Sequence, residues 1–228
     1  TLKMKIENFN SLGHVADRCA EIIDEAAKQA IAERGQFTIA FSGGSTPLPL
    51  YHTPAKREID WNKVHVFQVD ERIAPAGDEN RNFTHLKSCL LDHTPIPSSN
   101  VHAMPVTTQP SRNAVEIYEN LLVSKTGQPP ILDIVHLGIG EDGHTASLIP
   151  GDPVLNYQAG YVAITEEYNG YRRMTLSFHA INSARRLLWQ ITGAHKSSVL
   201  KQLINDDQSI PAGSISREQA IVITDIAQ

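Results

Sequence analysis

The 228-residue chain has only two cysteines, Cys19 and Cys89, too few for a disulfide-stapled fold. Both lie in stretches with helical spacing and read as small buried hydrophobes of a reducing compartment, so a cytoplasmic location is expected. No run of about 18 consecutive apolar residues occurs, which leaves no membrane-spanning helix to expect. Residues 1–10 alternate polar and apolar character without the apolar stretch of a signal peptide, so secretion is not expected either. Basic residues are outnumbered, 20 Lys and Arg against 25 Asp and Glu, so the basic footprint of a nucleic-acid binder is missing. Any anionic ligand must instead meet locally placed positive groups. Repeats, low-complexity tracts and clear linkers are also lacking. The 41% hydrophobic content can fill one core, and a single domain spanning 1–228 is expected.

What is present is an alternation of apolar runs and amphipathic stretches. From Ser11 to Gly35, apolar residues recur at helical spacing, with Ser11 placed to cap the start and Gly35 to stop it. Phe37 to Phe41 reads as a strand ending in Ser42-Gly43-Gly44-Ser45-Thr46-Pro47, after which Leu48, Leu50 and Tyr51 open a second helical stretch. The same order returns at Val64 to Val69, followed by Asp70-Glu71-Arg72, and at Ile131 to Leu137, followed by Gly138 to Leu148. Further strands are expected at Tyr161 to Thr165, Met174 to Phe178, Leu187 to Thr192 and Ala220 to Thr224, with a helix over His195 to Ile204. The proline-rich stretch from Asp92 to Pro110 reads as a long surface connection. This pattern predicts an α/β fold with a mostly parallel, Rossmann-like doubly wound sheet and helices on both faces. In such sheets ligands bind beyond the carboxyl ends of the strands, where Ser42–Thr46, Asp70–Arg72, Gly138–Thr145 and Gly193–Lys196 would share one rim.

Each loop has a plain and a chemical reading. Ser42 to Pro47 offers backbone N–H groups and hydroxyls at a helix start, an anion-binding arrangement, or else a tight turn capped by Ser45 or Thr46. No Gly-Lys-Ser/Thr follows, so this is not a triphosphate loop. Asp70-Glu71-Arg72 places both charge signs beside the rim, or is a solvated turn with a surface ion pair. Gly138, Gly140 and Gly143 match the spacing of a dinucleotide fingerprint, with Glu166 at a plausible distance for a ribose contact. Two objections outweigh that match. Glu141 and Asp142 would face pyrophosphate, and Pro150-Gly151-Asp152-Pro153 would cut the following helix after about two turns, short for a crossover. His144, flanked by Gly143 and two residues after Asp142, suits a general base oriented by a carboxylate. Neither His-Glu-x-x-His nor paired cysteines are present, so no metal is expected, and without a Gly-x-Ser-x-Gly elbow the nucleophile is water. Arg172, Arg173 and Lys196 supply positive charge near the rim. Lys196 opens a helix, an unfavourable place for a cation unless an anion is bound there.

In order and combination these motifs resemble the 6-phosphogluconolactonase family, within the wider group that includes glucosamine-6-phosphate deaminases. The resemblance runs through Phe41–Pro47, Val69–Arg72, Arg81-Asn82-Phe83, Gly138–Leu148 with Pro150-Gly151, Arg173–Leu176, Gly193–Lys196, Pro211–Ile215 and Asp225, nearly the whole chain. Arg72 and Thr145-Ala146-Ser147-Leu148 follow the lactonase form, where the deaminase branch typically has tyrosine and Ile-Ala-Phe-Asn-Glu-Pro. The resemblance implies hydrolysis of the δ-lactone of 6-phosphogluconate in the oxidative pentose phosphate pathway, without metal or organic cofactor. It further implies His144 as general base, Asp142 as its support, Asp70 and Arg72 lining the site, and Arg72 facing the oxyanion. The phosphate would rest on Gly43, Gly44 and Ser45, with Arg173 and Lys196 supplying charge. Arg81, often serine in relatives, would be a further phosphate ligand. The expected partner is a small sugar-phosphate lactone, and a monomer is the working expectation. An isomerase or deaminase on the same scaffold and a non-catalytic sugar-phosphate sensor are the competing readings.

Overall fold

The computed structural model describes residues 4–44, 57–107 and 112–227. The first helix, α1 (Leu12–Arg34), is bounded as its ends dictate. The Ser11 hydroxyl accepts from the His14 N–H, and Gly35, at φ 77°, closes the last turn on the Ile31 carbonyl. One face of α1 buries Val15, Cys19, Ile22, Ile23, Ala27 and Ala30. It lies against a seven-stranded sheet of β1 (Lys5–Asn8), β2 (Phe37–Phe41), β3 (Val64–Gln68), β5 (Val101–His102), β6 (Ile134–Leu137), β9 (Arg186–Ile191) and β10 (Ala220–Thr224), with α1 in contact with β2, β9 and β10. The order is β1-β10-β9-β6-β2-β3-β5 and every pairing is parallel. β2, β6 and β10 are buried along their whole length, which is why they read as unbroken apolar runs rather than alternating ones. One core contains α1, with Phe37, Ile39 and Leu86. The other contains Tyr118, Leu122, Trp189, Val199 and Leu203. Tyr118 and Leu122 belong to α3 (Arg112–Thr126), Val199 and Leu203 to α4 (Ser197–Ile204), and Leu86 to α2 (Asn82–Cys89). The doubly wound expectation is therefore met.

The structure corrects the reading of the middle of the chain. Tyr161–Thr165 and Met174–Phe178 do not join the parallel sheet. They appear as β7 (Val162–Ile164) and β8 (Arg173–Leu176), which pair antiparallel with β4 (Asp70–Arg72) in a separate three-stranded sheet ordered β4-β8-β7. Connection length explains this: β7 and β8 are joined by a short hairpin, whereas parallel neighbours need a crossover of a dozen or more residues. Val69 stitches the two sheets together, its N–H donating to Phe41 of β2 and its carbonyl accepting from Leu176 of β8. The helix expected to follow Gly138–Leu148 does not form; turns lead instead to a 3₁₀ segment at Pro153–Asn156. β1 was not foreseen, and the proline-rich connection contains the edge strand β5 and 3₁₀ turns at Leu91–His93 and Ser98–Asn100. The helical stretch expected from Leu48 lies outside the described residues. No helix among the described residues is long and apolar enough to cross a membrane.

Candidate active site

The loops that follow β2, β3, β6 and β9 do share one rim. A cleft of about 210 Å³ there is lined by Ser42, Gly43, Gly44, Asp70, Arg72, Asn82, His136, Gly138, Gly140, His144, Arg173, Gln190 and Lys196, among others. That volume lies below the range usual for drug-sized ligands and suits a small polar molecule.

The loop after β6 is folded around His144. The Gly140 N–H donates to the His144 carbonyl at 2.8 Å, and the Asp142 carboxylate accepts from the His144 N–H at 3.1 Å, the usual Asx turn back onto the chain. A Cβ on Gly140 would collide with the His144 imidazole, so glycine is required for the ring to lie there. The same Asp142 oxygen holds His144 Nδ1 at 2.6 Å, and the Tyr168 hydroxyl donates to the other oxygen at 2.9 Å. With Nδ1–H committed to a carboxylate, Nε2 keeps its lone pair, the tautomer a general base needs. Burial pulls the Asp142 carboxyl upward, but the backbone N–H and imidazole of His144 and the Tyr168 hydroxyl outweigh it and hold the carboxyl below its ordinary range.

The opposite wall is built on two buried carboxylates. Asp70 accepts from Ser147 Oγ at 2.6 Å and from Asn82 Nδ2 at 3.3 Å. Fully buried Glu71 accepts from Gln68 Nε2 and from the N–H groups of Arg72, Asn82 and Phe83, each at 2.8 Å, and faces Arg81 Nε at 3.3 Å. It thereby caps the start of α2, where a negative charge is favoured. The solvated-turn reading of Asp70–Arg72 is thus set aside. Asn82 in turn sits against Gly43, where any Cβ would strike its carboxamide.

Among the described residues, three cations face the cleft. Arg72 and Arg173 are direct partners across the β4–β8 ladder, a placement in which like charges repel, and among the described residues the Nε of each is buried without a hydrogen-bond partner. Burial and then repulsion from Arg72 depress the Arg173 pKa, against the pull of Asp70, Tyr168 and Asp142. Lys196 is held by the Ile139 carbonyl, and burial depresses it against the pull of Glu141 and Asp142. Its turn is pinned where Asp225 accepts the Gly193 N–H at 2.9 Å.

Of the residues singled out in the sequence, Asp70, Arg72, Arg173, His144, Lys196, Gly43 and Gly44 line the cleft, and Asp142 stands directly behind His144. Arg81 does not line it. It is 4% exposed and turned to Glu71, because the buried carboxylate needs a countercharge more than the rim needs a fourth cation. Ser45 lies outside the described residues. Sequence reasoning missed His136, Gln190, Ser147 and Tyr168. Two of them left a local signal: Ser147 lies within the Thr145–Leu148 motif, and Tyr168 stands beside the Asn169-Gly170 turn. No group of three His, Cys, Asp or Glu side chains among the described residues is placed to hold a metal ion.

Comparison with known proteins identifies the family. The family model described as glucosamine-6-phosphate isomerases/6-phosphogluconolactonase matches residues 10–223. A 6-phosphogluconolactonase of Synechocystis sp. is 34% identical over 213 residues, covering 90% of this chain and 88% of that one. One of Nostoc sp. is 35% identical over 218 residues, covering 92% and 90%. The crystal structure of 6-phosphogluconolactonase from Thermotoga maritima superposes with a TM-score of 0.87 at 29% identity, covering 97% of this chain and 99% of that one. The chain therefore belongs to the glucosamine-6-phosphate isomerase/6-phosphogluconolactonase family, on its 6-phosphogluconolactonase side.

Proposed function

We propose that this protein hydrolyses 6-phospho-D-glucono-1,5-lactone to 6-phospho-D-gluconate in the oxidative pentose phosphate pathway, with His144 as the base that activates water. The observation that carries the mechanism is the 2.6 Å contact of His144 Nδ1 with Asp142 in a cleft also lined by Arg72, Arg173 and Lys196. Water adds to the lactone carbonyl carbon as its proton passes to His144 Nε2, giving a tetrahedral oxyanion and an imidazolium steadied by Asp142. Collapse of the intermediate breaks the bond from that carbon to the ring oxygen, which takes the proton back from the imidazolium. Arg72 faces the oxyanion, a role usually worth about 10²–10³ in rate.

The phosphate rests against the Gly43 and Gly44 backbone, with Arg173 and Lys196 supplying charge. Supporting this is Arg173, whose repulsion from Arg72 and whose Nε, unpartnered among the described residues, an anion would relieve. Arg81 acts at one remove, through Glu71. A cytoplasmic setting is consistent with the free thiols of Cys19 and Cys89. The test is a coupled assay on freshly generated lactone beside a glucosamine-6-phosphate deaminase assay. Hydrolysis above the spontaneous background is expected in the first; turnover in the second alone would overturn the reading.

A further inference from the structure

Tyr168 has no part in the chemistry just described, yet both poles of the site meet on it. It sits at the tip of the β7–β8 hairpin, where Tyr168 and Tyr171 exchange backbone hydrogen bonds at 2.9 and 3.2 Å around Asn169 (φ 50°) and Gly170 (φ 81°). Two successive residues at positive φ make the tight turn that Asn-Gly favours, so the tyrosine is presented from a rigid hairpin. Its hydroxyl donates to Asp142 Oδ2 at 2.9 Å, and its ring meets the His144 imidazole edge-on, with centroids 5.7 Å apart. On the other side the Arg173 guanidinium lies 5.1 Å from the ring centre, within reach of the aromatic face, and Arg173 Nη2 donates to the Tyr168 carbonyl at 3.3 Å. One side chain therefore touches the base, the carboxylate that orients it and the cation assigned to the phosphate.

We propose that Tyr168 is a positioning residue that couples the phosphate-holding Arg173 to the alignment of the His144–Asp142 pair. The proposal rests on the lactonase reading above. The ring seats Arg173, whose Nε has no other partner among the described residues, and the hydroxyl fixes the Asp142 oxygen that His144 does not use. Occupation of the phosphate pole thereby steadies the ring that braces the base. The two functions lie on different atoms and can be separated by substitution.

Tyr168→Phe keeps the ring and removes the hydroxyl. It should lower kcat on the phosphorylated lactone about tenfold with KM within about twofold, since small misplacement of a catalytic group is costly. The acidic limb of its pH–rate profile should move to higher pH, because Asp142, relieved of one donor, exerts its full charge on the imidazolium. Tyr168→Leu removes both features and should also raise KM for the phosphorylated lactone about tenfold, while KM for unphosphorylated glucono-1,5-lactone stays within about twofold. Wild-type kcat and an unmoved pH limb in Tyr168→Phe would overturn the proposal. So would an equal rise of KM on both lactones in Tyr168→Leu. His144→Ala in the same assay separates the two levels: if it retains the wild-type rate, the base assignment fails and the coupling with it. If it is inactive while Tyr168→Phe is unaffected, only the coupling fails.

Discussion

Asp142 and Glu71 are both carboxylates at the same rim, but they are built for opposite purposes. Glu71 is wholly buried and receives four hydrogen bonds and a guanidinium, so its charge is spent on holding β4, the start of α2 and Arg81 together. Asp142 is partly exposed and holds two side chains, His144 and Tyr168, on separate oxygens. A carboxylate saturated by backbone donors is a structural element. One shared between an imidazole and a phenol orients side chains at the cleft, the arrangement the proposed base requires.

The sharpest break of this comparison is to remove each carboxylate. Glu71→Ala leaves Arg81 buried without its countercharge and the first N–H groups of α2 uncapped, a loss of about 3–5 kcal/mol. That is a large share of a typical domain's stability and should appear as a steep fall of the urea midpoint. Asp142→Ala should leave that midpoint near wild type and lower kcat about 10²-fold, because His144 loses the partner that sets its tautomer. Equal stability losses in the two variants would dissolve the distinction.

A smaller effect tests the cations. If Arg173 holds the phosphate as proposed, Arg173→Ala forfeits a charge-assisted contact, about 1.5–3 kcal/mol, and should raise KM for the phosphorylated lactone by the corresponding factor. The unphosphorylated lactone should be nearly indifferent. Arg81→Ala gives the contrast, because Arg81 lies against Glu71 rather than on the cleft and its loss should fall on the urea midpoint more than on KM. If Arg81→Ala raised KM selectively for the phosphorylated lactone, the sequence expectation that Arg81 is a further phosphate ligand would be upheld.

The difference between the two carboxylates also marks what could be read without coordinates. The runs Phe37–Phe41, Val64–Val69 and Ala220–Thr224, the caps at Ser11 and Gly35 and the glycine-rich loops are local signals, and a parallel sheet follows from their alternation. That placed Asp142 two residues from His144 and the four loops on one rim. What stayed hidden depends on partners far apart in sequence. β7 and β8 look like any buried strand, and only their hairpin separates them from the main sheet. Glu71 looked like half of a surface ion pair because its donors on α2 lie 11 and 12 residues away. Tyr168 reaches Asp142 across 26 residues.

A second pair within the cleft carries the same lesson to pH. His136 and His144 both line it, but His136 is buried, accepting from the Ser42 N–H at 3.4 Å and bonding Gln190 Oε1 through Nε2 at 2.8 Å. Burial pushes its pKa down to about 4, against the upward pull of Gln190. His102, stacked on His65 and packed on Phe67, is likewise pushed down to about 4 by burial and by His65. A histidine whose folded pKa lies below its unfolded value of about 6.5 is protonated preferentially when unfolded. Its contribution to stability is complete above that unfolded value and is lost as pH falls toward the folded one. Between pH 6.5 and 5, before most carboxylates titrate, each should add a slope of at most about 1.4 kcal/mol per pH unit to the stability measured by urea unfolding. His136→Gln should remove one such increment while leaving that of His102. An unchanged slope in His136→Gln would mean that His136 carries its proton in the folded cleft, and its placement beside Ser42 and Gln190 would then have to be read as a charged contact rather than a neutral one.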